Sequence, residues 1–208
     1  MSHDLMSAQR DNFGQTPSQT VGPYFAYGLT AEQYRYDFDQ PFDAVVAYPH
    51  AQGEHIRLEG VVYDGDGAPI TDAMIEIHQA DASGHYVQAS AAPRAAAQSG
   101  FRGFGRTGTG TDAQARFQFD TVKPGAEGPG QAPHIHVIVM MRGMLVHAFT
   151  RVYFSDEAAA NAADPVLQAV PPERRDTLVA QRSEAGGRVV YRFDIHMQGP
   201  KETVFFDL

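Results

Sequence analysis

The sequence predicts a mainly β protein, an antiparallel β-sandwich. Short strand-like runs recur from residue 54 to the C-terminus, and turns rich in Gly, Pro and Asp separate them. No internal repeat or interdomain linker interrupts the 208 residues, a length that suits one domain with a sizeable core.

Residues 1–19 are polar, rich in Ser, Gln and Asp, and read as an arm. The stretch TVGPYFAYGLT then brings Gly22, Pro23, Tyr24, Phe25 and Tyr27, too apolar for a free tail. The division expected is an arm over residues 1–53 and a sandwich over 54–208. IRLEGVVYD, the turn Asp64-Gly65-Asp66-Gly67 and AMIEIHQAD predict a hairpin-type pair. The Ala/Gly/Ser-rich stretch Ala89 to Arg106 reads as a surface loop. ARFQFD alternates and predicts a half-buried strand. HIHVIVMM, the break at Arg142-Gly143 and LVHAFTRVYF predict another pair, and RVVYRFDIHMQ and TVFFDL two further strands. Two short helices are expected. One is SDEAAANAAD with Ser155 as N-cap; the other starts near Pro171-Pro172 and runs through ERRDTLVAQR.

Composition narrows the chemistry. The absence of Cys excludes disulfides, zinc–thiolate sites, Fe–S clusters and Cys nucleophiles. A net charge of −9 with no Lys/Arg cluster disfavours nucleic acid and anionic membranes. No apolar run approaches a membrane span, and the N-terminus lacks a basic flank before an apolar block, so a cytoplasmic protein is expected.

His134 and His136, two residues apart on one strand, point the same way. Both faces of that strand are apolar, so it is expected to be central, with its imidazoles inside the sandwich. A metal could satisfy their nitrogens, and so could Tyr, backbone or water. Without Cys, further ligands must be oxygen donors. Phenolate suits ferric iron, and Tyr86 sits in a turn just past a strand end. His78, His147 and His196 read as structural, and Arg174-Arg175 as a solvated helix face.

TPSQTVGPY, QADASGHY, TVKPG, APHIH and the closing YRFDIHMQGPKETVFFD resemble the intradiol ring-cleaving dioxygenases, from Thr16 onward. The resemblance implies a β-sandwich shared by homologous alpha and beta chains that assemble into hetero-oligomers. It implies non-haem Fe(III) bound in the beta chain by two Tyr and two His, and an aromatic diol substrate bearing a carboxylate. Tyr86, His134 and His136 fall at ligand positions. Where the second tyrosinate is expected after Lys123-Pro124-Gly125, this chain has Glu127. Where the catalytic chain has an Arg three residues before the first His, it has Gln131. A carboxylate is a weaker base than a phenolate, and the missing guanidinium removes a charge that could stabilise developing negative charge. The resemblance therefore implies an alpha chain whose own pocket is catalytically silent, with relict metal positions. Its N-terminal segment would wall the partner's iron pocket through Thr20, Gly22, Pro23 and Tyr24. Arg142 would reach the substrate carboxylate.

Overall fold

The computed structural model describes residues 20, 22, 27–88 and 100–207. They form nine strands: β1 (His55–Tyr63), β2 (Met74–His78), β3 (Phe104–Gly108), β4 (Arg116–Val122), β5 (His134–Met140), β6 (Ala148–Phe154), β7 (Val179–Ala185), β8 (Arg188–Arg192) and β9 (Ile195–His196). Two short helices, α1 (Ala158–Ala163) and α2 (Pro165–Ala169), precede a 3-10 segment, Pro172–Leu178. None of the described helices is long and apolar enough to cross a membrane.

The strands run in the order β3-β2-β5-β6-β7-β8-β1-β4, with β9 added to β1. Most pairings are antiparallel; β1–β8, β1–β9 and β6–β7 are parallel. Period-two alternation builds the core. Ile56 and Leu58 of β1 and Phe117 and Phe119 of β4 meet Ile75 and Ile77 of β2 and Ile135, Val137 and Val139 of β5 in one buried cluster. The two halves of the path therefore share one apolar interior. Val46, Ala47 and Ala51 also enter this core, although they lie on the arm side of the boundary expected at residue 54.

Several local expectations need correction. β1 and β2 do not pair with each other; β1 lies beside β4 and β8, and β2 lies between β3 and β5. The Asp64 turn does form, with Asp64 Oδ1 accepting from the amides of Asp66 and Ala68 at 3.0 and 2.8 Å. It folds β1 back onto the Pro69–Ile70 stretch rather than onto β2. Residues 104–106 belong to β3 and are not loop. Ser155 does not cap α1, whose N-cap is Glu157; its hydroxyl accepts from the Arg182 amide instead. Most of the expected second helix is the 3-10 segment, and VAQR opens β7, because pairing with β6 and β8 overrides local helical preference. TVFFDL forms a single bridge, Phe149 to Phe206. Arg174 and Arg175 are not merely solvated: they donate to the carbonyls of Glu202, Val170 and Gln168.

β5 is central, between β2 and β6, but its two faces differ. Ile135, Val137 and Val139 point into the core. His134, His136, Ile138 and Met140 take the other face, where only His134 is fully buried. The imidazoles thus lie on the outer face of this half, not in the main interior as expected.

Candidate functional site

Two loops bring the outer-face residues together. After β2, the Asp81 carboxylate accepts from the amides of Ser83 and His85 at 2.8 and 3.0 Å, closing a tight turn. Gly84 takes φ +83° in that turn, and a Cβ there would stand 2.0 Å from the Ala126 carbonyl oxygen. A Cβ on Gly125, in the loop after β4, would stand 2.6 Å from the Ala82 carbonyl oxygen, and the Gly125 amide donates to Asp81 O at 2.8 Å. With a side chain at neither glycine, the loops lie backbone to backbone. Tyr86 therefore meets Glu127, and its hydroxyl donates to Glu127 Oε1.

His134 and His136 enter from β5. His134 Nδ1–H donates to the Ala132 carbonyl at 2.9 Å, which turns Nε2 into the pocket. His134 Nε2 lies 3.1 Å from Glu127 Oε1 and 3.3 Å from His136 Nε2, and His136 Nε2 lies 3.9 Å from the same carboxylate oxygen. Among the described residues this is the one group of three His or acidic side chains with ligand atoms so close. The Tyr86 ring packs against His78, centroids 4.8 Å apart. Burial pushes the Tyr86 phenol above its ordinary value, and the Glu127 carboxylate adds to the rise. Burial lowers both imidazoles, His136 to about 4, with His134 and Arg151 contributing to the depression of His136.

Protons are scarce at this point. With Nδ1 committed to Ala132, neutral His134 presents a lone pair from Nε2. It faces a carboxylate oxygen and a second imidazole nitrogen, with the Tyr86 O–H and one His136 N–H to share among them. Such an array needs positive charge nearby. The spacing would accept a small cation, since tetrahedral ligands about 2.0–2.1 Å from an ion stand roughly 3.3–3.4 Å apart. The chemistry of the set does not suit ferric iron. It offers a single phenol, whose hydroxyl donates to a carboxylate, and Arg151 on β6 already supplies a positive charge that both imidazoles feel. Arg151 was missing from the sequence reading, because its place beside the pocket follows from strand register: it pairs with His136, as Tyr153 pairs with His134.

The other expected residues divide. Thr20 and Arg142 come together: Thr20 Oγ1 accepts from the Gly143 amide at 3.0 Å and donates to the Met141 carbonyl at 3.4 Å. The arm is thereby fastened to the β5–β6 turn, on either side of Arg142. The Arg142 side chain is 73% exposed, with Nε 3.0 Å from Asp72 Oδ2. Gly22 is half-buried, and among the described residues no atom lies within 4 Å of where a Cβ would stand. Pro23 and Tyr24 lie outside the described residues. Gln131 is exposed in the loop before β5.

With fold and pocket in place, the class follows. The family described as Dioxygenase matches residues 22–199, and the chain belongs to the intradiol ring-cleavage dioxygenases. It is 63% identical over 195 residues to the protocatechuate 3,4-dioxygenase alpha chain of Burkholderia cepacia, covering 93% of this chain and 98% of that one. The alpha chain of Pseudomonas putida is 47% identical over 199 residues, 93% of this chain and 96% of its own length. The Burkholderia cepacia beta chain is 34% identical over 161 residues, 73% of this chain and 67% of that one. Among solved structures, the 3-chlorocatechol 1,2-dioxygenase of Rhodococcus opacus 1CP shares the fold. Its TM-score is 0.55 at 21% identity, covering 94% of this chain and 77% of that one.

Proposed function

We infer that this chain is the alpha subunit of a protocatechuate 3,4-dioxygenase. The assembly adds dioxygen across the intradiol bond of protocatechuate to give 3-carboxy-cis,cis-muconate, in cytoplasmic catabolism of aromatic compounds. Fe(III) is held by a homologous beta subunit, and this chain walls the substrate pocket. The observation that carries the division of labour is the Tyr86–Glu127 hydrogen bond. Where ring cleavage needs a phenolate that can leave the metal and accept a proton, this pocket has a phenol donating its proton to a carboxylate.

What this chain contributes is a corner rather than a metal centre. Thr20 pins the arm to the Met141–Gly143 turn, and that clamp fixes the base from which the exposed Arg142 projects. A guanidinium so placed suits the carboxylate of the substrate, and Gly22 continues the wall from the same arm. Arg142 exchanges its Asp72 partner for the substrate, and the catechol ring itself lies on the beta subunit.

The test is steady-state oxygen uptake by the co-expressed complex carrying Arg142→Ala. A lost charge-assisted hydrogen bond of about 1.5–3 kcal/mol predicts a KM for protocatechuate raised roughly 10- to 100-fold. Turnover of catechol, which lacks the carboxylate, should stay near wild type. Equal effects on both substrates would remove Arg142 from the carboxylate site.

A further inference from the structure

A row of basic side chains crosses the outer face of the sheet. His78 on β2 stands opposite His136 on β5, and His136 stands opposite Arg151 on β6. Directly opposed residues share a face with Cβ atoms about 4.5–5.5 Å apart. Arg151 therefore rises beside the imidazole pair, two positions from Tyr153, whose backbone lies opposite His134. Its charge is felt by Tyr86, His134 and His136 alike, one on the neighbouring loop and two on β5. Glu127 Oε1 sits at the other end of the array, in contact with all three of those side chains or within 4 Å.

We propose that Arg151 and Glu127 act as a pair that keeps ferric ion out of this chain. The guanidinium supplies the positive charge that the facing lone pairs require. The carboxylate balances it and holds the Tyr86 proton. The convergent Tyr-His-His geometry survives because charges internal to the protein have taken over the role of a bound ion. Metal exclusion is thus encoded at two positions, and restoring the absent phenol alone is insufficient. This deepens the reading above and rests on its statement that this chain carries no catalytic iron.

The experiment expresses the chain without a beta subunit, with ferric iron supplied, as wild type, Glu127→Tyr, Glu127→Tyr/Arg151→Met and Glu127→Tyr/Arg151→Lys. Iron per chain and visible tyrosinate-to-iron absorbance are read, with circular dichroism as the check on folding. Glu127→Tyr should stay colourless and iron-free. Glu127→Tyr/Arg151→Met should load at least about tenfold more iron and turn red-brown. Glu127→Tyr/Arg151→Lys, which keeps the charge, should behave as Glu127→Tyr. Iron loading by Glu127→Tyr alone overturns the proposal, as does a folded Arg151→Met double variant that loads no more than Glu127→Tyr. Should the double variants fail to fold, Arg151→Met alone is titrated with Co2+ against wild type. Binding about tenfold tighter is expected, and equal affinity overturns the pairing. An iron-loaded, active wild-type chain would instead defeat the subunit assignment.

Discussion

Two carboxylates lie on either side of His134, and their surroundings differ. Asp164 is fully buried and accepts from the amides of Ala132 and Leu167, both at 2.9 Å, and from the Tyr153 hydroxyl at 3.1 Å. Every partner is a neutral donor. Burial pushes this carboxyl upward, but the donors from Leu167, Ala132 and Tyr153 more than offset it and hold it below the ordinary value. Glu127 has one clear donor, Tyr86, and otherwise faces imidazole nitrogen. His134 joins the two regions through Ala132, whose amide serves Asp164 and whose carbonyl holds the imidazole. Asp164 closes a hydrogen-bonded knot that caps α2 and anchors the loop before β5, whereas Glu127 faces the converging side chains of Tyr86, His134 and His136.

That contrast can be broken most forcefully at Asp164. Asp164→Ala leaves three buried donors without an acceptor, and at about 1–3 kcal/mol for each orphan the loss should reach at least roughly 3 kcal/mol. Urea denaturation measures it; a loss below about 1 kcal/mol would show that water replaces the carboxylate freely.

Acid sharpens the comparison next. His136 is depressed to about 4 and binds its proton more readily when unfolded. Its contribution is complete above the ordinary imidazole value and is lost as pH falls from about 6.5 toward 4. With the side chain 31% exposed, the expected loss is discounted to about 1–2 kcal/mol. The Asp164 contribution persists through that window and disappears only below the ordinary carboxylate range. Amide hydrogen exchange across a pH series should therefore loosen the β5 start and the Tyr86 turn before α2.

Tyr153→Phe removes one donor from the Asp164 knot and should cost about 1 kcal/mol by the same denaturation. Glu127→Gln should change stability least, within about 0.5 kcal/mol, because it removes a charge that faces lone pairs. It should also let the Tyr86 phenol titrate at lower pH, followed by ultraviolet absorbance.

Much of this was readable before any coordinates. Alternation marked β4, and the two apolar runs around the Arg142-Gly143 break marked β5 and β6. Sheet order was not readable, because a good turn such as Asp64–Gly67 fixes a local reversal and not the long-range neighbour. β7 was hidden in a sequence with helical preferences and exists through its pairing partners. Arg151 escaped notice since a lone Arg on a strand acquires meaning only when register puts it opposite His136. The Asp164 knot escaped for the same reason: its partners come from three separate segments.

The central claim is that catalytic iron belongs to the partner while this chain supplies the wall. Metal analysis with visible spectroscopy tests it most directly, on the chain purified alone and on the chain purified with its homologous beta subunit. The expected result is a colourless, iron-free, inactive chain alone and a red-brown, active complex with iron in proportion to the beta subunit. A red-brown chain that cleaves protocatechuate unaided would contradict the account.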